Sequence, residues 1–279
     1  MDDLIVGSEA MAAGLVTRQM LRTQFVKLHH NVYARKGVEL TAADRARAAW
    51  LWSRRKATLI GHSAAAMHGA KYLPNNVPAE LARIRQPSPQ GIAVFTGSIA
   101  DDEICLRQSV DCTTPARTAY DIGRRVAGDA AIIRIDALLN ATRCTVEEVQ
   151  KIAARYPGAR HIRRLHRALD LADGGAESPK ETELRLLLVR DGLPRPVTQI
   201  AVGPRRVDMG WPDIKVGVEY DGEQHFENPD DYADDIERLE FLAEQGWIIV
   251  RVSSRQLRYD RPGILRRVRA ARDRRDYGF

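Results

Sequence analysis

The sequence is poor in cysteine and in aromatic residues. Cysteine occurs 3 times in 279 residues, and aromatic residues make up 6% of the chain. Three cysteines cannot all pair within one chain, and none of them shows a CxxC motif or metal-like spacing with histidine. We therefore expect Cys105, Cys112 and Cys144 to be small buried residues in a reducing compartment.

Long apolar runs are absent as well. No stretch approaches the roughly 18 residues that a membrane-spanning helix needs. The start, Met1-Asp2-Asp3-Leu4, lacks the positive flank and the apolar run of a secretory signal. Both absences predict a cytoplasmic protein with no membrane partner.

Charge is abundant and unevenly distributed. Hydrophobic residues make up 44% and charged residues 29%, which are globular proportions, and 279 residues predict about two domains. The net charge of +6 favours polyanionic partners, yet residues 176–250 carry a net charge of −9. From Arg251 onward there are ten arginines and three acidic residues. A carboxylate-rich segment between basic ones is typical of a metal-dependent enzyme acting on a phosphodiester polymer, and also of a solvated acidic helix.

The clearest predicted domain boundary is the Gly/Ala/Ser/Pro break at Asp173–Pro179. It divides the chain into residues 1–175 and 176–279. The apolar pattern of the first part predicts a mainly helical α+β domain with a small sheet, including one strand over Glu103–Val110. In the second part, apolar periodicity and turn residues predict the order αβββαβα, with a helix after Ser178, strands at 197–202, 206–211 and 216–221, and a late strand at 247–252.

Two of those strands carry the most specific chemistry. A hairpin of 206–211 and 216–221, turning about Asp213-Ile214, pairs residues whose numbers sum to 427. Asp208 then faces Glu219, and strand alternation puts Asp221 on the same face as Glu219. Opposed like charges destabilise a sheet, and a hard divalent cation such as Mg²⁺ offsets their repulsion. Glu183, on the helix that opens the domain, is a candidate fourth ligand.

An ordinary explanation stands beside this one. From spacing alone, Asp208, Glu219 and Asp221 are equally well explained as solvent-facing residues of an antiparallel edge. The residues that follow, Gly222-Glu223-Gln224-His225, favour a site, because an exposed edge does not explain a cluster of polar residues directly after a buried-looking strand. His225 is either a general acid or base near neutral pH or a structural hydrogen-bonding residue.

Several spaced motifs resemble a known nuclease family over about residues 177–272. The residues that carry the resemblance are Arg206-Val207-Asp208, Val218-Glu219-Tyr220-Asp221-Gly222 with His225, Asp235 with Arg238 and Leu242, and Gly246-Trp247 with Val250-Arg251-Val252. They are similar to the very-short-patch-repair-like branch of the PD-(D/E)xK nuclease superfamily. The resemblance implies an α/β, restriction-endonuclease-like αβββαβ core.

The same resemblance implies metal-dependent hydrolysis of DNA. Asp208 and Glu219 would be ligands of Mg²⁺ or Mn²⁺, with Glu183 assisting directly or through water. A bound metal lowers the pKa of its water and neutralises charge on the phosphate oxygens. Asp221 stands where the superfamily usually has a lysine, and it would bind the metal or polarise the water.

The first part of the chain resembles the AbiEi-type antitoxin family. The motifs are Leu15–Leu21, Asn31-Val32-Tyr33, His62–Gly69 and Thr114–Thr118. That family begins with a winged helix-turn-helix, but only about ten residues separate Leu21 from Val32, too few for a recognition helix and a following strand. We therefore expect a degenerate winged helix up to about residue 40. The histidines at 29, 30, 62 and 68 sit at no recognised ligand spacing.

Two groups of arginines are candidate DNA contacts. One follows the last strand and includes Arg251, Arg255 and Arg266; the other lies on a helix at about 159–172 and includes Arg163, Arg164 and Arg167. Phosphate contacts and plain solvated faces explain both groups equally well. The function classes left open are a DNA endonuclease, a non-catalytic DNA-binding antitoxin-like regulator, and a protein partner of a toxin encoded elsewhere. The oligomeric state is not specified by the sequence.

Overall fold

A computed structural model describes residues 3–82, 85, 87–222 and 229–276. In it the chain divides into two compact units, Met1–Gly174 and Gly175–Phe279. The division lies one residue before the boundary that the sequence predicts. Within the described part of the chain, no helix combines the length and apolarity needed to cross a membrane.

The first unit opens with a small antiparallel sheet. Its elements are β1 (Leu4–Val6), α1 (Gly7–Ala12), α2 (Arg18–Gln24), β2 (Phe25–His29) and β3 (Val32–Arg35), and the strand order is β1-β3-β2. Thr17 caps α2, because its hydroxyl accepts the backbone N–H of Met20. The strand β2 begins at the residue after α2 ends, so no helix separates α2 from the β2–β3 hairpin.

The rest of the first unit surrounds a five-stranded sheet. It contains α3 (Ala42–Trp52), β4 (Thr58–Leu59), α4 (Gly61–Met67), β5 (Ala79–Ala82), β6 (Ile92–Phe95), β7 (Ile104–Arg107), β8 (Val110–Thr113), α5 (Pro115–Arg125), α6 (Asp129–Thr142), α7 (Val146–Arg155) and α8 (Ile162–Leu169). The strand order is β6-β5-β4-β8-β7. Buried side chains of the sheet, α3 and α4 form its main core.

One strand prediction in this unit is wrong. Glu103–Val110 is not a single strand, because β7 ends at Arg107 and the chain turns back into β8. The turn residues Gln108 and Ser109 have φ values of 49° and 63°. Such two-residue hairpin turns normally carry asparagine, aspartate or glycine, and Gln-Ser is therefore a weak signal for this turn.

The second unit is a four-stranded sheet with helices. It consists of α9 (Pro179–Arg190), β9 (Val197–Val202), β10 (Arg205–Trp211), β11 (Val216–Asp221), α10 (Pro229–Glu244), β12 (Ile248–Ser253), α11 (Ser254–Tyr259) and α12 (Arg261–Asp276). The strand order is β12-β11-β10-β9. The β11–β12 pair is parallel, with α10 as the crossover, and the other pairs are antiparallel. The short helix α11 was not predicted, although Ser253 caps it.

The register of the β10–β11 hairpin positions the candidate site. Met209 pairs with Val218, Gly210 with Gly217 and Trp211 with Val216, which confirms the pairing sum of 427 over these residues. Side chains from β10, β11 and β12 pack with Leu184 and Leu188 of α9 in the main core of this unit. Asp208 in the middle of β10 and the carboxylates near the end of β11 are therefore flanked by buried neighbours.

Candidate functional site

The predicted carboxylates lie together in one polar cleft of the second unit. The cleft has a volume of about 340 Å³, and Asp208, Glu219 and Asp221 all line it. Its other described lining residues are Glu177, Gln199, Pro204, Arg205, Arg206, Tyr220, Asp235, Arg238 and Arg251. Five carboxylates and four guanidinium groups thus face the same space.

Asp208 differs in detail from its predicted position opposite Glu219. The described β10–β11 ladder runs only over Met209–Trp211. Beyond it, the backbone N–H of Tyr220 donates to Oδ2 of Asp208 at 3.0 Å. A side-chain oxygen thus replaces the backbone acceptor at this point, and it fixes the carboxylate at the mouth of the hairpin.

Glu181 is the acidic residue of α9 whose charge raises the pKa of Asp208, and the role of Glu183 as a metal ligand stays a prediction. Glu183 binds Nζ of Lys180 at 2.9 Å and does not line the described part of the cleft. Glu181 is buried and accepts hydrogen bonds from the backbone N–H of Glu177 at 2.9 Å and from Nε2 of Gln199 at 3.4 Å. Residues two apart on a helix point in nearly opposite directions, since each turns by about 100°, so only one of the two glutamates can face the sheet.

Burial and like charge perturb the central carboxyl group. Burial, and after it the charges of Glu181 and Glu219, raise the pKa of Asp208 to about 7, although the N–H of Tyr220 and the charge of Arg238 lower it. Burial also raises the pKa of Glu181. A carboxyl group in such surroundings favours either a proton or a bound cation, because its ionised form is poorly solvated.

Arginines from α10 and β12 neutralise the other carboxylates. Arg238 binds both oxygens of Glu219, at 2.7 and 3.0 Å, and Oδ1 of Asp235 at 2.8 Å. Arg251 binds Oδ2 of Asp235 at 2.9 Å and Oδ2 of Asp221 at 2.8 Å. We define Glu219, Arg238, Asp235, Arg251 and Asp221 as the ion-pair chain. It offsets the repulsion for which the sequence predicted a metal ion.

Two carboxylates of the cleft are candidate ligands for a divalent metal ion. Oδ1 of Asp221 is buried and accepts no hydrogen bond from any described residue. Together with Asp208, it offers the carboxylate oxygens that Mg²⁺ and Mn²⁺ prefer. Both oxygens of Glu219 already accept from Arg238, so a metal ion at Glu219 would share these oxygens with the guanidinium group or displace it.

The other predicted site residues lie in different places. His225 lies outside the described residues, as do Glu223 and Gln224. Arg251 is in the cleft, in the ion-pair chain, whereas Arg255 on α11 and Arg266 on α12 are exposed. On α8, Arg163 and Arg167 are exposed, while the half-buried Arg164 donates to the backbone oxygen of Arg124 at 3.3 Å.

A cluster in the first unit was missed by sequence reasoning. His68, Cys105 and Cys112 are the described His, Cys, Asp or Glu side chains whose possible ligand atoms lie within 4.8 Å of one another in a group of three. Both ring nitrogens of His68 already have partners: Nε2 contacts the oxygen of Thr113 at 2.7 Å, and Nδ1 accepts from Nε of Arg107 at 3.1 Å. Only the pairing of β7 with β8 brings the two cysteines together, and that turn was not predicted.

Each part of the chain matches a known family model. Residues 181–271 match the family model REase_MTES_1575, a restriction-endonuclease-like domain. Residues 56–171 match the AbiEi antitoxin C-terminal domain, which includes the His62–Gly69 and Thr114–Thr118 motifs but not the two earlier ones. The second unit is thus similar to nuclease domains, and most of the first is similar to an antitoxin domain.

Relatives among curated proteins are themselves uncharacterized. Two proteins of Mycobacterium tuberculosis, from strains CDC 1551 and H37Rv, are each 34% identical to this chain over 158 residues. Each match covers 55% of this chain and 58% of the relative. The matched region therefore spans little more than half of either protein.

Proposed function

We propose that the second unit is a metal-dependent DNA endonuclease of the very-short-patch-repair-like branch, using Mg²⁺ or Mn²⁺. The supporting observation is that Asp208, Glu219 and Asp221 line one cleft beside the buried Glu181. The match of residues 181–271 to a restriction-endonuclease-like family supports the same reaction class.

In this proposal Asp208 and Asp221 hold the metal, and Glu219 joins them when it leaves Arg238. When bound there, the metal would supply an activated water and positive charge opposite the phosphate oxygens. The charge of Glu181 disfavours an ionised Asp208 without a counter-charge, and a bound divalent cation would offset this repulsion.

The arginines of the cleft supply the positive charge that a lysine usually provides. Arg251 lies in β12 opposite Glu219 and lines the cleft, so its guanidinium is placed to pair with a phosphate oxygen. Arg255 and Arg266 extend the basic surface for DNA. His225, three residues past Gly222 in the sequence, is the proposed general acid or base.

A nuclease assay with matched variants tests this function. Wild type and the Asp208→Asn, Glu219→Gln, Glu181→Gln and Glu183→Gln variants are incubated with single-stranded, duplex, mismatched and branched DNA in Mg²⁺, Mn²⁺ or EDTA. We expect metal-dependent cleavage that falls by at least about 100-fold in the first two variants, by less in Glu181→Gln, and not in Glu183→Gln. Cleavage that persists in Asp208→Asn and Glu219→Gln would contradict the proposal.

The ion-pair chain favours a second candidate function. Because Arg238 and Arg251 already neutralise Glu219 and Asp221, the fold is stabilised there without a metal. A non-catalytic DNA-binding regulator that keeps a nuclease fold would have this arrangement, and the antitoxin match of residues 56–171 is consistent with it. Such a protein binds DNA equally well in wild type and in Asp208→Asn and cleaves none. A toxin-type protein partner would remain if no DNA form is bound.

A further inference from the structure

A second cavity, in the first unit, is lined by three arginines. It has a volume of about 380 Å³, which is within the range of roughly 300–1,000 Å³ for small-molecule sites. Arg117, Arg124 and Arg125, all from α5, line it, and its described lining contains no carboxylate side chain. The charged side chains on the described walls are therefore all positive, which favours an anionic ligand.

Buried acids behind the cavity fix these arginines. Asp121 is fully buried, and its oxygens lie 3.3 Å from Nε of Arg117, 3.2 Å from Nη2 of Arg125 and 3.6 Å from Nη2 of Arg124. Arg117 also binds the buried Glu103, and its Nη2 donates to the backbone oxygen of Ser98 at 3.4 Å. Arg125 also lies 4.0 Å from Oε1 of Glu80, so these carboxylates hold the three guanidinium groups in place from outside the lining of the cavity.

Two donors of these arginines make no hydrogen bond to a described residue. Nε of Arg124 and Nη1 of Arg125 are both buried, and Nη1 of Arg125 forms an ion pair with Oε1 of Glu80 at 4.0 Å. A buried charged donor without an acceptor is costly, because its interaction with water is lost and not replaced. An anion with several oxygens bound in the cavity would satisfy such donors.

The remaining walls suit an aromatic or apolar body. Tyr120, Tyr156 and Phe95 line the cavity, and the Cζ atoms of Arg124 and Arg125 lie 4.5 Å from the ring centre of Tyr120 and 4.1 Å from that of Phe95. Stacked guanidinium planes and aromatic rings are surfaces on which nucleobases pack. Small residues, Gly97 and Gly158, complete the opening.

We propose that this cavity binds a nucleoside phosphate, with its phosphate group on Arg124 and Arg125 and its base against the aromatic wall. Phosphate fits better than a single carboxylate, because its several oxygens can accept from two guanidinium groups at once. The site is separate from the proposed nuclease function and requires no metal.

Isothermal titration calorimetry in EDTA tests the proposal. The ligands are adenosine 5′-monophosphate, adenosine, inorganic phosphate and a 5′-phosphorylated tetranucleotide, titrated into the full chain. We expect adenosine 5′-monophosphate to bind with one site per chain, and adenosine and phosphate each to bind at least about tenfold more weakly. Tighter binding of the tetranucleotide than of the mononucleotide would identify the end of a strand as the source of the nucleotide. No binding of either phosphorylated nucleoside would overturn the proposal.

Variants separate the cavity from general positive charge. Arg124→Gln and Arg125→Gln should each weaken the Kd at least about tenfold, whereas Arg45→Gln, at an exposed arginine on α3, should leave it unchanged. If a glutamine variant fails to fold, Arg124→Lys keeps the charge but loses Nε and the planar fork, and should still weaken binding several-fold. Binding at the wild-type Kd in folded Arg124 and Arg125 variants would also overturn the proposal.

Discussion

Arg238 binds both carboxylate oxygens of Glu219, with nitrogen–oxygen distances of 2.7 and 3.0 Å. Glu219 is only 4% exposed, so this pair is nearly buried. A metal ion and the guanidinium group therefore compete for the same two oxygens. In our account, the ion pair is the metal-free state of the cleft, and metal binding must displace Arg238 from at least one oxygen.

Replacement of Arg238 should destabilise the metal-free protein and increase the stability that a bound metal adds. The change Arg238→Gln leaves Glu219 buried without its counter-charge, which costs about 2–4 kcal/mol of unfolding free energy. Mn²⁺ should then restore more stability to the variant than it adds to wild type. Thermal and denaturant unfolding with EDTA or Mn²⁺ measure both effects.

The matched control for Arg238 is Arg255→Gln, since Arg255 is exposed on the next helix in sequence. We expect it to change the unfolding free energy by less than about 0.5 kcal/mol. If Mn²⁺ stabilises Arg238→Gln no more than wild type, competition between arginine and metal for Glu219 is refuted.

The perturbed carboxyl of Asp208 predicts a pH-dependent stability in EDTA. Burial raises its pKa to about 7 in the folded state, so the folded protein holds a proton that the unfolded chain releases at lower pH. The stability that this proton supplies is complete at low pH, below the ordinary aspartate pKa, and is lost as the pH rises towards 7. Asp208→Asn removes this dependence and should gain on the order of 2 kcal/mol relative to wild type between pH 5 and pH 8.

Glu183→Gln serves as the control for that titration, because Glu183 is held by Lys180 outside the cleft. Its stability should follow the wild-type pH curve. Parallel curves for wild type and Asp208→Asn from pH 5 to pH 8 would show that Asp208 ionises normally, contrary to our account.

In the first unit, two acids that share one arginine should differ strongly in effect. Arg155 contacts Asp102 at 2.9 Å and Glu103 at 3.1 Å, but the Asp102 side chain is 69% exposed and that of Glu103 is fully buried. Glu103 also binds Arg117 and accepts from the hydroxyl of Tyr156 at 2.9 Å. Glu103→Gln should cost about 3–5 kcal/mol of unfolding free energy, and Asp102→Asn less than about 1 kcal/mol. Equal losses measured by denaturant unfolding would contradict this difference.

DNA binding by α8 should appear as a salt dependence. If Arg163 and Arg167 contact phosphates, the affinity for duplex DNA falls with salt, with a slope of log K against log salt of about −0.9 per phosphate neutralised. The double variant Arg163→Glu, Arg167→Glu should flatten the slope by about 2, and Arg45→Glu should not. Fluorescence anisotropy with Ca²⁺ at several salt concentrations measures the slopes, and an unchanged slope in the double variant would exclude α8 as a phosphate-binding surface.

Arg164 is left out of that variant for a structural reason. Its Nη1 donates to the backbone oxygen of Arg124, so a change to glutamate would disturb packing as well as charge. The sequence shows three nearby arginines on one helix but does not show which of them binds the protein itself.

Strong local signals made much of the second unit predictable. Alternating apolar residues, turn residues and the capping Ser178 located α9 and β9–β12 within one or two residues, and the register of the β10–β11 hairpin followed from its turn. The ion pairs of Arg238 with Glu219 and of Arg251 with Asp221 could not be predicted in this way. They depend on where α10 and β12 pack on the sheet, which local spacing does not encode.

The choice between Glu181 and Glu183 depends on which face of α9 is buried. Both lie near the start of α9, and the sequence favours neither unless the buried face of the helix is known. Leu184 and Leu188 are fully buried and define that face; Glu181, three residues before Leu184, shares it. This periodicity was available in the sequence and would have identified Glu181.

A crystal of the full chain soaked in Mn²⁺ tests the central claim most directly, because Mn²⁺ is located by its anomalous scattering. Our account predicts one peak in the cleft, at about 2.1–2.3 Å from oxygens of Asp208 and Asp221, with Arg238 displaced from at least one oxygen of Glu219. The same soak of the Asp208→Asn variant should show no peak there. A cleft that stays free of Mn²⁺ at millimolar concentration, with the ion-pair chain intact, would contradict a metal-dependent nuclease and favour the non-catalytic DNA-binding protein.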